Sequence, residues 1–164
     1  MAQTLGTHIT NMDAKPFERV LAKLHGGMPK RIVLTDEVPD TANGDSMIVA
    51  KVPVDAVLSS VRAAFDDLGA AGTVDIGFYS KAADGTYTVV DADAIANNID
   101  VSTAAVALTE YRFQVKGIET IEQTVWELAG LSARPSYADM YIGLTTDTGT
   151  TVAGTASMVI DYSV

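Results

Sequence analysis

Cysteine is absent from the 164 residues, which removes disulfides, thiolate metal sites and a cysteine nucleophile together. Stability then rests on packing, hydrogen bonds and contacts with partner subunits. Histidine is scarce: His8 and His25 are the two in the chain, both near the N-terminus, and they lack the spacing of a metal-ligand pair. No run of about 18 apolar residues is present to cross a bilayer as a helix. The opening MAQTLGTHITNMDAKPF lacks the basic-then-apolar order of a secretory signal. The sequence therefore reads as a protein made and used without export, with no membrane partner. Internal repeats, low-complexity linkers and a phosphate-cradling glycine pattern are missing too.

Positive charge is scarce as well, and it is unevenly placed. The formal net charge is −10, yet residues 1–31 carry Lys15, Arg19, Lys23, Lys30 and Arg31 against Asp13 and Glu18, a net +3 that leaves −13 on the remainder. A basic arm leads an acidic body. An acidic body repels phosphate backbones, so nucleic acid is not an expected partner. The length suits one domain with a sizeable core, read as an arm over residues 1–30 and a body over residues 31–164.

The arm contains DAKPFERVLAKLHGG. Asp13 suits a helix cap, Pro16 the first turn, and Phe17, Val20, Leu21 and Leu24 recur at helical spacing until Gly26 and Gly27 stop it. The spacing predicts a short amphipathic helix whose stripe must be buried against something. After it the texture turns to β. Strands are expected over 31–35, 46–52, 73–79, 86–90, 110–115, 121–128, 137–145 and 155–164, rich in branched residues and separated by polar, Gly- and Pro-containing stretches. Asp84-Gly85 marks a tight turn between two of them. In the last strand Ala156, Met158, Ile160, Tyr162 and Val164 share a face.

The segment PVDAVLSSVRAAFDDLG fits either period, since Val54, Val57, Leu58, Val61, Phe65 and Leu68 suit a helix while Val57, Ser59, Val61, Ala63 and Phe65 suit one face of a strand. Pro53, Gly69 and Gly72 bracket a strand length, so strand is preferred although propensity favours helix. Residues 92–99 are expected to form a helical turn or two within a long connection, and TTDTGTTVAGT a hairpin loop. Short strands with frequent turns predict a mainly β chain: an antiparallel sandwich or jelly roll behind a short helical arm.

Catalytic chemistry finds little to stand on. Asp84, Asp91, Asp93 and Asp100 are acidic, but no glycine and closing carboxylate complete a calcium loop, and a capping role for Asp91 or Asp93 explains the spacing. Gly44-Asp45-Ser46 resembles an esterase serine block, which requires a histidine base that neither His8 nor His25 supplies. Asp66 with Asp67, or Glu122 with Glu127, would be candidate acid–base pairs, yet neighbours on a strand point to opposite faces. Trp126, Tyr137, Tyr141 and Tyr162 could stack on sugar rings, but in strands with alternating neighbours such residues are more often core or interface residues. The reading is therefore not an enzyme, with no cofactor and no metal site.

The series KVPVDAVLSSVRAAFDDLGAAGTVDIGFYSKAADGTYTVVDADAIANNIDVSTAA, then LTEYRF, WELAGLSARPSYADMYIGLT and the β C-terminus, resembles small structural proteins encoded beside the major capsid protein in tailed bacteriophages. These are the capsid cement or decoration proteins, and the resemblance covers roughly residues 46–164. It implies a β-sandwich bound to the outside of an icosahedral shell, often a homotrimer at a local threefold axis, with the major capsid protein as partner and the virion surface as its place after assembly in the host cytoplasm. Catalytic residues are not part of what it implies. Within that expectation the arm is the reaching element: Phe17, Val20, Leu21 and Leu24 as apolar anchors and Lys15, Arg19 and Lys23 as charges, docking on the lattice or on a neighbouring subunit. A tail, baseplate or receptor-binding module recognising host glycan is the alternative, and a jelly-roll hydrolase is a third reading.

Overall fold

The computed structural model describes residues 29–38, 42–69, 72–102, 104–148 and 152–164. Eight strands are present among them: β1 (Pro29–Val38), β2 (Ser46–Pro53), β3 (Val57–Phe65), β4 (Thr73–Lys81), β5 (Tyr87–Asp100), β6 (Val106–Glu110), β7 (Asp139–Thr148) and β8 (Gly154–Ser163). Period-two burial accounts for most of them. Ala156, Met158 and Ile160 on β8, and Val61, Ala63 and Phe65 on β3, are sealed from solvent while their neighbours are not. The ambiguous segment at 54–68 thus holds the strand β3, over Val57–Phe65. Ser59 leaves the inward set, because the register with β8 shifts between Leu58 and Ser60, and its hydroxyl donates to the Asp161 carbonyl at 3.0 Å.

The strands form two four-stranded sheets, β1-β8-β3-β6 and β2-β7-β4-β5, with antiparallel pairs throughout. Each strand of the first half pairs with its mirror partner in the second: β1 with β8, β2 with β7, β3 with β6 and β4 with β5. Two further pairings, β3 with β8 and β4 with β7, roll this nested hairpin into two facing sheets. That is a jelly roll. The inner faces meet in one core that includes Leu58, Phe65, Phe78, Ile95, Ile142 and Ile160.

Four expectations are corrected. Residues 92–99 are not helical; they belong to β5, where Ile76 pairs with Ala96 but Phe78 pairs with Asp91, so the intervening residues of β5 bulge out against a single residue of β4. The bulge destroys the alternation, which is why the segment does not read as a strand. Residues 121–128 are not a strand either: a 3-10 turn (Ile118–Thr120) and a one-turn helix α1 (Val125–Leu128) stand there. The Thr124 and Glu127 capping box starts α1. The strand expected at 110–115 lies earlier, at β6, and the chain turns from Arg112 onward. Finally, β7 and β8 are in different sheets, so the stretch between them is a crossover and not a hairpin loop. The expected arm helix lies outside the described residues.

β4 is buried on both faces, with Val74, Ile76 and Phe78 in the core and Asp75 and Tyr79 covered on the other side. Gly77 makes this possible. A Cβ there would sit 2.2 Å from the backbone carbonyl of Ala92 on the bulge, which no side chain tolerates. Gly77→Ala is expected to destabilise the fold by about 1–3 kcal/mol, read as a lower urea midpoint with an unchanged slope. An unchanged midpoint would show that the bulge does not lie against β4 in this way.

Candidate functional site

The acidic residues of the 84–100 region each have a local structural task. Asp84 accepts the Thr86 backbone N–H at 2.9 Å, and Asp100 accepts both the N–H (2.9 Å) and hydroxyl (2.6 Å) of Ser102. Those bonds hold both carboxyls below their ordinary range. Asp93 accepts from the Asn97 amide at 2.8 Å, while Asp75, across on β4, accepts the Asn98 backbone N–H at 2.7 Å. Asn98 has φ 54°, a left-handed conformation that asparagine tolerates, and the Asp75 bond fixes it. Asp91 lies 3.5 Å from the Lys116 ammonium. Burial pushes Asp75 and Asp91 upward, and the neighbouring Asp93 carboxyl adds to the effect at Asp91. Among the described residues no group of three or more carboxylates or histidines is arranged to hold a metal ion. Asp75, Asp91 and Asp93 lie at the bulge of β5, while Asp84 and Asp100 cap the turns at its two ends.

The other carboxylates considered from sequence also bind backbone. Asp66 accepts the Thr155 N–H and Asp67 the Gly69 N–H, each at 2.9 Å. Glu127 accepts the N–H and hydroxyl of Thr124 as the cap of α1, and Glu122 is exposed. In the Gly44-Asp45-Ser46 stretch, Asp45 accepts the Ala42 N–H at 2.9 Å within a turn, while His8 and His25 lie outside the described residues. Trp126, Tyr137 and Tyr162 are half-buried against the core.

Two surfaces remain after this sorting. The first is the outer face of the β2-β7-β4-β5 sheet, where register places Lys51, Tyr141, Tyr79 and Val89 in one row. Tyr79 is 1% exposed and lies over Gly143, where a Cβ would come within 2.5 Å of the ring; its hydroxyl shares a hydrogen bond with Thr145. Tyr87 meets Tyr141 edge to face at 5.0 Å, and the Lys81 ammonium stands 5.1 Å from the Tyr87 ring centre. Tyr87 and Val89 are 41% and 51% exposed. Aromatic rings rimmed by lysines suit a protein contact.

The second surface is the turn after β6, stapled down by Arg112. This arginine is 1% exposed. Its Nε donates to the Leu58 carbonyl at 3.0 Å, and its two terminal nitrogens donate to the Thr120 hydroxyl at 3.2 Å and carbonyl at 2.8 Å. The Thr120 hydroxyl in turn donates to the Gly117 carbonyl at 2.8 Å. Burial lowers the guanidinium's pKa from its high ordinary value, and an arginine in that range stays charged. Two carbonyls and a hydroxyl take its N–H donors, and the nearby Glu110 carboxylate partly offsets the burial. Outside the staple, Ile118 is 70% and Ile121 46% exposed, with Val115 at 41%. Side chains three apart on a 3-10 turn eclipse one another, so Ile118 and Ile121 stand together. A stapled turn that holds an isoleucine pair in water is a candidate contact surface.

The seven arm residues, Lys15, Phe17, Arg19, Val20, Leu21, Lys23 and Leu24, lie outside the described residues, so the structure brings none of them to either surface. The stapled turn is hidden because residues 110–115 and 121–128 read as strands. The Thr124-x-x-Glu127 spacing is a sequence signal for α1, which follows the turn.

The whole arrangement is a jelly-roll sandwich with two prepared outer surfaces. Its fold is similar to that of a chain in the capsid of Ralstonia phage GP4, at TM-score 0.54 and 15% identity, covering 82% of this chain and 84% of that one. A chain of the cyanophage Pam1 capsid asymmetric unit is similar too, at TM-score 0.52 and 16% identity, covering 85% and 86%. At such identities the likeness is one of fold. No protein-family model matches the chain, and no curated protein matches it in sequence.

Arg112→Met removes the donors that satisfy Leu58 and Thr120, and is expected to cost about 2–4 kcal/mol while speeding amide exchange across residues 115–121. An unchanged urea midpoint would contradict the staple. Asp75 gives a second test. Its folded pKa is raised, so between that value and the ordinary one the native state binds more protons, and its contribution to stability improves as pH falls through the window. Asp75→Asn keeps an acceptor for Asn98. The variant should exceed the wild type in stability at neutral pH and lose that advantage as pH falls into the carboxylate range, measured by urea titration at several pH values. A constant difference would refute the buried-carboxylate account.

Proposed function

We propose that this chain is a structural protein of a tailed-phage virion that binds the outside of the capsid lattice and stabilises it, as a homotrimer at local threefold positions. The observation that carries the reading is the jelly-roll fold, shared over 82% and 85% of the chain with capsid structures of two phages. The resemblance of residues 46–164 to cement proteins supports it from the sequence. Such a protein acts through binding energy and needs neither a reaction nor a cofactor. Each contact gains roughly 25 cal/mol per Å² of buried apolar area before association costs. Three copies joined around an axis then multiply weak contacts through effective concentration. Whatever binds only the intact lattice disfavours its disassembly by linkage.

The tyrosine face and the stapled turn are the surfaces offered for this work, and the arm, with its apolar stripe and Lys15, Arg19 and Lys23, is the third contact. Its partner is the major capsid protein or a neighbouring copy. The acidic stretch over residues 32–164, at −13 by sequence, supports contact with protein rather than with packaged nucleic acid. One observation favours the alternative of a tail or receptor-binding module: exposed Tyr87 beside Tyr141 could stack on a sugar ring.

Quantitative electrophoresis of purified virions separates the two. The cement role predicts a copy number in simple ratio to the major capsid protein, and reduced head occupancy for a chain lacking residues 1–27. A few dozen copies or fewer would move the protein to the tail or a vertex, and absence from virions would reject the structural role.

A further inference from the structure

β1 ends its sheet, and among the described residues no strand pairs with its other edge. An edge of this kind presents a row of backbone N–H and C=O groups to any strand that fits. The ten residues of β1 keep one unbroken register with β8. The other edge strands are all irregular: β2, β5 and β6 carry register shifts against their neighbours, and β6 is five residues long. Bulges and brevity discourage a further strand, and β1 has neither.

The core layer stops unfinished at the same edge. Val61, Ile160 and Ile32 form one row across the sheet, and Ala63, Met158 and Leu34 form the next inward row. The first two members of each row are sealed, while Ile32 and Leu34 are half-buried. On the outer face Val33 is 68% exposed. A strand laid along β1 would cover all three.

Charge decides which strand fits. Lys30 and Arg31 stand at one end of β1 and Asp36 and Glu37 at the other, all four exposed. A strand with this polarity matches its own copy when the two run antiparallel, whereas parallel pairing sets like charge against like. A twofold axis normal to the sheet keeps both core faces on one side, so residues of the same face meet. Centred on Val33, it sets Lys30 against the second copy's Asp36, Ile32 against Leu34, and Val33 against Val33. Arg31, already bonded to Asp161 at 2.6 and 3.0 Å, then lies opposite Thr35 with Glu37 diagonal to it. The core rows run on without a gap, from Val61 of one copy to Ala63 of the other. A centre on Leu34 would instead put Asp36 against Ile32 and Lys30 against Val38, so Val33 is the matched centre.

We propose that β1 is a self-pairing edge: two copies join their β1-β8-β3-β6 sheets through antiparallel β1 strands, with Val33 on the twofold axis. One strand pair is a small interface beside the roughly 1,000 Å² of a stable one. The contact is therefore weak between dilute copies and strengthens where many copies are held on a common surface. It does not rest on the capsid reading. On a lattice, the same twofold contact would tie trimers on neighbouring threefold axes into a net.

The cysteine-free chain provides the test, because a single introduced thiol can form a disulfide only with a second copy. In full-length protein, Val33→Cys meets its own copy at a Cα separation that a disulfide accepts. Thr35→Cys lies about 14 Å from its own copy in that register, too far to bridge. Under oxidation at equal concentrations, Val33→Cys dimers should form about tenfold faster than those of Thr35→Cys, or of Val89→Cys on the other sheet. Adding Lys30→Glu or Asp36→Lys to Val33→Cys sets like charges opposite and should erase the advantage, and mixing those two chains should restore it as a cross-linked heterodimer. The substituted positions are all exposed, so unchanged thermal midpoints in the reduced state verify that each variant is folded. Equal rates for Val33→Cys and Thr35→Cys would overturn the proposal, assigning the edge to another occupant. Charge reversals without effect, or a mixture that fails to recover, would overturn it as well.

Discussion

The pairing of β1 with β8 is the constraint on which the rest of the structure depends. It joins the two ends of the described chain along ten residues of each strand, from Pro29 with Ser163 to Val38 with Gly154. Because β8 also pairs with β3, this closure draws the outer members of the nested hairpin into a single sheet. It also places their inward residues, Met158 and Ile160 among them, in one core with Phe78 and Ile142 of the other sheet. Burial of those side chains supplies the main drive for folding. A chain with no disulfide relies on such long-range pairings, which bring distant segments together only at a cost in loop entropy.

Where the roll departs from regularity, specific residues hold the departure in place. β5 carries surplus residues that fold over β4, and Gly77, Asp75 and Asn98 accommodate them through absence of a side chain, a carboxylate acceptor and a left-handed backbone. Arg112 does the same for the chain after β6, using its planar fork to reach two elements at once. Edge strands are handled in a related way: β2 is bulged and carries Lys51 and Pro53, and β5 is bulged along much of its length. Both devices discourage pairing with another chain's edge. Beside the β1 edge, the tyrosine face and the stapled turn, with Tyr87, Val89, Ile118 and Ile121 exposed, are the candidate contact surfaces that remain.

Strand alternation made the β class, the sandwich, the Asp84-Gly85 hairpin and the doubtful strand at 57–65 legible in the sequence. What sequence hid was every place where the period breaks. Bulges made 92–99 resemble a helical turn, since Ala and Asn there follow neither period cleanly. A single-turn helix at Val125–Leu128 is too short to show periodicity, so only its capping pair betrays it. The tyrosine cluster was opaque for another reason: Tyr79, Tyr87 and Tyr141 are brought together by register between three strands, which composition does not encode locally. Nothing in the sequence singles out Arg112, because burial of an arginine depends on the carbonyls that meet it.

The account proposed for this chain is a jelly roll that works by contact on a phage head; what the comparisons establish is the fold. Electron cryomicroscopy of intact virions tests it most directly. The account predicts an eight-stranded roll repeated over the outer shell, in threes around local axes, with the tyrosine face or the stapled turn against a neighbour. Density for the roll confined to the tail, or found beneath the shell, would contradict it.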